Sequence, residues 1–248
     1  MILVYIQQLS TSKTLIQSAA KLAVQLGKSF AVLTVAETES ELKSLLKECE
    51  IADYYIFIND NSKSLVEVCE AEEASFLFIQ LPDGQTNSIR RLLNDCRELR
   101  ISYLFYKDSF KVLDLTKVIL PIGFLEEELE KAQFASAFGR FCDSEVIMFL
   151  ANDYGSKAAT NAGKMKELFD KFDFKYTLEK ATKDSFKVEA ESIQVAEKER
   201  AGIIIVSASR DYGLDDILFG PKEYHVVKKS PVPVLLVNPR GDLYALCD

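Results

Sequence analysis

The residues best suited to bind a ligand lie near the C-terminus, within residues 201–237. Residues 202–206 form a short, continuous apolar and β-branched run, which predicts a strand buried on both faces. The loop after it contains Arg210, whose guanidinium is suited to holding a phosphate group. The loop ends at Gly220 and Pro221, which open a helix, and a helix N-terminus attracts anions. Because ligands of parallel sheets bind where loops leave the carboxyl ends of strands, the sequence predicts that this loop is the candidate site.

Other polar residues are better explained by ordinary structure. His225 is the only histidine and no nucleophile or carboxylate motif frames it, which favours a position on a helix surface. Asp211, Asp215 and Asp216 lack the glycine-spaced pattern of a cation loop, so a solvated acidic loop and no metal site are predicted. The glutamates at 126–128 fall in the predicted first turn of a helix, where they complement its dipole. The sequence yields no catalytic set of nucleophile, base and orienting group.

Composition excludes several classes of protein. The chain of 248 residues has a formal net charge of −8, which argues against nucleic acid as a partner. Its longest apolar runs are strand-sized, well below the ~20 residues that span a bilayer, and its N-terminus is typical of a strand and not of a signal peptide. Five scattered cysteines without C-x-x-C spacing predict reduced thiols and a cytoplasmic location: Cys49, Cys69, Cys96, Cys142 and Cys247.

Strand-like and helix-like patterns alternate along the whole chain. This alternation predicts an α/β fold with parallel sheets and helices on both faces. The order repeats after a polar connection, so the sequence predicts a domain over 1–108, a linker over 109–116 and a second domain over 117–240.

Two apolar sets in the second half carry further predictions. One is an aromatic group predicted to pack helix against sheet, with a partner-binding patch as the alternative: Phe169, Phe172, Phe174 and Tyr176. The other is the apolar face of a helix, with residues at helical spacing: Phe186, Ala190, Ile193 and Ala196. A longer helix is predicted over 125–141.

The second half resembles a universal stress protein domain. Residues 118–123 (VILPIG) match its opening, and 206–237 match its close through Gly213, Leu214, Leu218, Gly220 and the strand at 233–237. The first half resembles the same domain through residues 21–27 running into 30–35.

That resemblance implies two tandem Rossmann-like domains of the adenine nucleotide alpha hydrolase-like type. Each would be a five-stranded parallel sheet of order 3-2-1-4-5 with helices on both faces. It also implies that the last strands, at 102–106 and 234–237, pair with each other as an intramolecular pseudo-dimer.

The nucleotide motif of that family is eroded here. Members that bind ATP carry G-x-x-G, nine residues, then G-S or G-T, and the corresponding positions are Ser207, Arg210, Gly220 and Pro221. Proline at 221 offers neither an amide hydrogen nor a hydroxyl to a phosphate. Glu223 would compete with an anionic ligand for the helix dipole.

The first-strand aspartate that the family associates with the nucleoside is also missing. Gly123 stands at its position in the second half and Gln7 in the first half. The loop that begins at Gln80 in the first half is shorter than its counterpart in the second half.

These observations favour a non-enzymatic, cytosolic tandem stress-type protein that has lost nucleotide binding, needs no cofactor and acts through a protein partner. The alternative is a sensor that binds ATP or AMP with Mg in the second domain only. In it, Arg210, Gly213, Gly220 and Lys222 would surround the phosphates and Gly123 would leave room for the nucleoside. A slow nucleotide hydrolase would further need a water-activating group that the sequence does not identify. The partner, the signal and any further homodimer stay open.

Overall fold

The computed structural model of the chain describes residues 1–35, 38–59, 63–85, 88–208 and 222–238. The chain divides into two compact units, Met1–Leu113 and Asp114–Asp248, which we call unit 1 and unit 2 and describe separately. The last residues of unit 1 are anchored within that unit: the Leu113 amide donates to Ser18 Oγ at 2.9 Å, and the Tyr106 hydroxyl donates to the Lys111 carbonyl. The pairing of the last strands of the two halves stays a prediction.

Unit 1 is a parallel sheet with helices between its strands. Strand β1 pairs with both β2 and β4, so the order of its described strands is β3-β2-β1-β4-β5. The elements in chain order are β1 Ile2–Tyr5, α1 Lys13–Gln25, β2 Phe30–Thr34, α2 Glu39–Glu48, β3 Tyr55–Ile58, α3 Leu65–Ala71, β4 Phe76–Leu81, α4 Ser88–Asp95 and β5 Ser102–Lys107.

Unit 2 repeats this plan. Strand β6 pairs in parallel with β7 and β9, which gives its described strands the order β8-β7-β6-β9-β10. Its elements are β6 Lys117–Ile122, α5 Lys131–Cys142, β7 Glu145–Leu150, α6 Lys157–Lys171, β8 Tyr176–Lys180, α7 Val188–Glu199, β9 Ile203–Ser207, α8 Lys222–Lys229 and β10 Val234–Val237. The predicted α/β class with parallel sheets and helices on both faces is confirmed.

Apolar runs and local capping explain these elements. Every residue of β4 and of β9 is buried, as expected for strands covered on both faces. Helix α3 begins at a capping box in which the Glu67 amide donates to Ser64 Oγ and the Ser64 amide donates to the Glu67 carboxylate. No helix in the described part of the chain is long and apolar enough to cross a membrane.

Two predicted helices differ from the observed ones. The predicted helix over 125–141 begins instead as a 3₁₀ turn, Glu126–Glu130, and continues as α5. The predicted face of α7 is confirmed for Ala196 and wrong for two of its residues, because Phe186 precedes the helix and is 80% exposed and Ala190 is exposed too. The residues that α7 buries are Val188, Glu189, Ser192 and Ala196. Both segments bury a glutamate, Glu128 in the 3₁₀ turn and Glu189 in α7.

Candidate functional site

The carboxyl end of β6 in unit 2 is covered by a buried ion pair. The Gly123 amide, directly after the strand, donates to Glu128 Oε2 at 2.6 Å. Lys131 Nζ donates to the same oxygen at 3.1 Å and to the Pro121 carbonyl at 2.6 Å. The side chains of Lys131 and Glu128 are 0% and 5% exposed. The polar groups at the end of this strand therefore have partners within the chain.

The 3₁₀ turn is the local reason for this geometry. It directs Glu128 toward the end of β6, whereas Glu126 stays at the surface and lies 3.7 Å from Lys164 Nζ. The prediction that all three glutamates at 126–128 only complement a helix dipole is therefore wrong for Glu128. Its carboxylate has two specific partners, and burial of a carboxylate requires such partners.

The space beside Gly123 is occupied. A Cβ at this position would lie 3.0 Å from Ser185 Oγ and 3.4 Å from Glu128 Oε2. Asn161 lies on the other side, where its amide donates to the Gly123 carbonyl at 3.0 Å and to the Leu125 carbonyl at 2.8 Å. Ser185 and Glu128 therefore lie within contact distance of Gly123, and the expectation that Gly123 leaves room for a nucleoside stays a prediction.

Ser185 belongs to the loop between β8 and α7, residues 181–187, which we call the β8–α7 loop. Its amide donates to Asp153 Oδ1 at 2.8 Å and its hydroxyl donates to Asp153 Oδ2. At the start of the loop, the amides of Thr182 and Lys183 donate to the Glu191 carboxylate at 3.0 and 2.8 Å. Near its end, the Phe186 ring lies 5.4 Å from the Phe124 ring. Contacts to the end of β7, to α7 and to the residue after Gly123 thus hold the loop over the carboxyl edge.

The second ion pair of this edge involves Lys222, at the start of α8. Its Nζ lies 3.3 Å from Glu189 Oε1, and Glu189 is 6% exposed. Burial lowers the pKa of Lys222, but the charges of Glu189, Glu128 and Glu223 outweigh burial and raise that pKa to about 12. Lys222, predicted to lie near phosphates, therefore has carboxylates around it.

These contacts define one group of charges, which we call the carboxyl-edge cluster: Glu128, Lys131, Glu189, Lys222 and Glu223. Glu223 is 1% exposed and lies in the first turn of α8. The cluster has three carboxylates and two ammonium groups, and Glu128 links the two ion pairs because it acts electrostatically on Lys222. Sequence analysis assigned Glu128 to a helix surface and did not name Glu189, since nothing in their spacing marks them as buried.

The remaining predicted site residues fall into two groups. Ser207 ends β9, and its hydroxyl is buried without a hydrogen-bond partner among the described residues. The others lie outside the described residues: Arg210, Gly213, Gly220 and Pro221, together with Asp211, Asp215 and Asp216. His225 is exposed on α8 beside the Tyr224 ring, as predicted.

The carboxyl edge of unit 1 is filled by an uncharged side chain. Gln80, near the end of β4, is fully buried, and its Oε1 accepts from the amides of Gln7 and Gln8 at 2.8 Å each. Its Nε2 donates to the Gln8 carbonyl and to Asp108 Oδ1, again at 2.8 Å. The place that corresponds to the family aspartate, Gln7, is thereby tied to β4 and to the residue after β5.

The described residues contain no group of three or more His, Cys, Asp or Glu side chains that could hold a metal ion. Four cysteines of this part of the chain are free thiols: Cys49, Cys69, Cys96 and Cys142. Burial raises the pKa of the Cys69 thiol to about 12.

The sequence matches no protein-family model and no curated protein. Solved structures are similar over nearly the whole chain. A universal stress protein from Archaeoglobus fulgidus DSM 4304 has a TM-score of 0.71 at 13% identity, and the similarity covers 97% of each chain. A putative universal stress protein from Pseudomonas aeruginosa UCBPP-PA14 has a TM-score of 0.60 at 17% identity, covering 99% of this chain and 95% of that one.

A functionally unknown protein from Pseudomonas aeruginosa PAO1 is similar to the same degree, with a TM-score of 0.61 at 17% identity over 99% of this chain and 94% of that one. The similarity to the full-length structures spans both units, so the chain has the tandem fold of the universal stress proteins.

Proposed function

We propose that this chain is a non-enzymatic, cytosolic regulatory module of the universal stress type, which has lost nucleotide binding in both units and acts through protein contacts. The observation that carries this proposal is the carboxyl-edge cluster of unit 2. It places Glu128 on the end of β6, where the family resemblance puts the nucleoside.

The charges at the carboxyl edge of unit 2 support the proposed loss of nucleotide binding. A nucleotide brings phosphate charges to the N-terminus of the helix after the loop, and here Glu223 is buried in the first turn of that helix, α8. The ammonium group best placed to offset the phosphate charge, Lys222, is paired with Glu189. A phosphate would have to compete with three carboxylates of the cluster, and like charges at short distance in a partly buried site repel strongly.

Steric occupancy supports the same conclusion in both units. Ser185 and Glu128 take the space beside Gly123, and the amide of Gln80 takes the hydrogen bonds at the end of β1. Opening either edge would leave buried polar groups without partners, each of which costs about 1–3 kcal/mol.

The test is thermal unfolding of the full chain with and without millimolar Mg-ATP, Mg-ADP and AMP. We expect no change in midpoint. A nucleotide present at about 100 times its dissociation constant would stabilise the native state by about 2.7 kcal/mol, which raises the midpoint by several degrees. A rise of that size would overturn the proposal and favour the sensor that binds ATP or AMP in unit 2.

A matched variant tests the cause. Glu189→Gln removes the carboxylate that pairs with Lys222, and the freed Lys222 side chain, 39% exposed, keeps its charge hydrated. A nucleotide-dependent rise in this variant, absent in the wild type, would identify the cluster as the element that excludes nucleotide. Glu126→Gln is the control, because it removes one negative charge from an exposed carboxylate of the same unit and should create no response.

A further inference from the structure

Away from the carboxyl edge, unit 2 has an apolar groove between α5 and the C-terminal end of α6. Its volume is about 500 Å³, within the range of small-molecule sites. One side is a face of α5 and the other is aromatic, and the residues that matter are Gln133, Ser136, Ala137, Arg140, Phe172 and Phe174.

The aromatic wall is held in place from behind. The Phe172 and Phe174 rings are stacked, with centroids 5.8 Å apart and planes at 28°. Phe174 also contacts the fully buried Phe169 and packs on α5 at Gly139, where a Cβ would lie 3.1 Å from its ring. Phe172, in contrast, is 54% exposed. The prediction that these aromatic residues pack helix against sheet therefore holds for Phe169 and leaves Phe172 as an apolar surface in contact with water.

The α5 wall combines a small centre with polar ends. The lining residues of α5 share one face of the helix, because they are spaced at i, i+3, i+4 and i+7: Gln133, Ser136, Ala137 and Arg140. The Ser136 hydroxyl already donates to the Ala132 carbonyl at 2.7 Å, so the donors left at the two ends belong to Gln133 and Arg140.

Arg140 is the charged group of the groove. Its guanidinium lies 5.1 Å from the Phe141 ring centroid, a cation–π contact that restricts its position. Within the described ranges, Arg140 has no carboxylate partner, whereas the neighbouring Asp143 is paired with Lys175 at 2.7 Å. A second cation, Lys171 Nζ, lies 5.4 Å from the Phe172 ring centroid. The groove thus offers donors and positive charge beside aromatic surface.

We propose that this groove binds a small, flat aromatic molecule with a single carboxylate group. Its ring would lie between Ala137 and the Phe172–Phe174 pair. Its carboxylate would accept hydrogen bonds from the Arg140 guanidinium, which can donate two parallel N–H bonds to the two carboxylate oxygens. A phosphate alone would leave the aromatic wall in water, and a neutral ring would leave Arg140 without a partner. Although α5 begins at Lys131, none of the residues that line the groove belongs to the carboxyl-edge cluster, so this proposal is independent of the proposed loss of nucleotide binding.

The test is isothermal titration calorimetry of the full chain with 2-naphthoate and with 2-naphthalenemethanol. The alcohol keeps the aromatic ring system of naphthoate and lacks its negative charge. We expect naphthoate to bind about tenfold more tightly than the alcohol, since a hydrogen bond to a charged group is worth that much. Arg140→Gln should weaken naphthoate about tenfold and leave the alcohol unchanged. Phe172→Ala should weaken both compounds.

Phe186→Ala is the matched control, because Phe186 is an exposed aromatic residue of the same unit at the carboxyl edge. It should change neither affinity. Equal binding of naphthoate by wild type and Arg140→Gln would overturn the proposal, as would a loss of binding in Phe186→Ala. Absence of naphthoate binding to the wild type at millimolar concentration would overturn it as well and would favour a protein segment as occupant. All three substitutions are at exposed positions, so the variants should fold.

Discussion

The Glu128–Lys131 pair is costly to bury, and this cost defines its role at the scale of single residues. Removing two charges from water offsets much of their mutual attraction, so such a pair adds little net stability compared with apolar residues of the same size. Here both charges also bind backbone, Glu128 at Gly123 and Lys131 at Pro121. The pair therefore determines how residues 123–131 turn back over the end of β6.

Lys131→Met should be strongly destabilising. It leaves the Glu128 carboxylate buried with the Gly123 amide as its remaining hydrogen-bond donor, and breaking one side of a buried pair costs about 3–5 kcal/mol. Urea unfolding of the variant measures this cost. Glu128→Gln in the same background should restore part of the loss because no charge is then left unpaired. Lys43→Met, which removes an exposed pair with Glu39, should have no measurable effect. A single Lys131→Met variant as stable as the wild type would show that water reaches the pair.

Gly202 is a second position at which a substitution should strongly lower the stability of the fold. A Cβ at this position would lie 1.3 Å from the Asp114 carbonyl oxygen, so Gly202→Ala forces the backbone apart and should cost at least about 3 kcal/mol. Gly163→Ala is the matched control, because Gly163 lies inside α6 with open space around its Cα. That change should stabilise by about 0.5–1 kcal/mol through helix propensity. Chemical denaturation compares the two, and equal effects would contradict the packing at Asp114.

At the scale of elements, the stability of the β8–α7 loop should depend on pH, because the Glu191 carboxylate accepts hydrogen bonds from its backbone. Burial raises the pKa of this carboxyl, but the hydrogen bonds from Thr182 and Lys183 outweigh burial and hold the pKa below its ordinary value of 4.5. A depressed folded-state pKa contributes stability that is present above pH 4.5 and is lost as pH falls through the folded value. The amide resonances of Thr182 and Lys183 should accordingly titrate with a midpoint below 4.5.

Glu191→Gln provides the control for this titration. It should abolish the pH dependence of the two amide resonances while the rest of the spectrum still titrates. A midpoint above 4.5 in the wild type would mean that Glu191 is not hydrogen-bonded as the structure has it.

The strands could be predicted from the sequence because burial on both faces produces continuous apolar runs. The run at 202–206 corresponds to β9, Ile203–Ser207, and the predicted β10 coincides with the observed Val234–Val237. Helices were less predictable where polar residues face inward. Apolar periodicity placed Phe186 and Ala190 on the buried face of α7, whereas Glu189 takes such a position because Lys222 compensates its charge.

The loop that the strand-end rule selected, after β9, lies for the most part outside the described residues. The family resemblance directed attention to Gly123 and Lys222, and Glu128 accepts from the Gly123 amide and acts electrostatically on Lys222. The partners themselves are distant in sequence. Lys222 lies 33 residues from Glu189, and Gln7 lies 73 residues from Gln80. Whether a polar residue is buried depends on such partners, so local spacing could not identify Glu189 or Gln80.

At the scale of the whole molecule, the two units share one strand order and fill their carboxyl edges with different chemistry. Unit 1 uses an uncharged amide, Gln80, with Asp108 among its partners, and unit 2 uses the five charged side chains of the carboxyl-edge cluster. In both units, side chains of the same unit therefore satisfy the backbone groups that the strand ends expose.

The rate at which buried thiols are modified should report the unfolding of unit 1 separately from that of unit 2. Cys69 and Cys96 lie in the core of unit 1, at 3% and 0% exposure, and burial raises the pKa of both thiols, that of Cys69 to about 12. Because the thiolate is the nucleophile, iodoacetamide at pH 8 should modify them about a hundredfold more slowly than the partly exposed Cys49 and Cys142. Peptide mass spectrometry across a urea series would then follow unit 1 through the two buried thiols. Cys49→Ser, which removes the fast site of unit 1, should leave the slow labelling unchanged. Rapid modification of Cys69 or Cys96 without urea would show that unit 1 opens under native conditions and that its core is less closed than this structure requires.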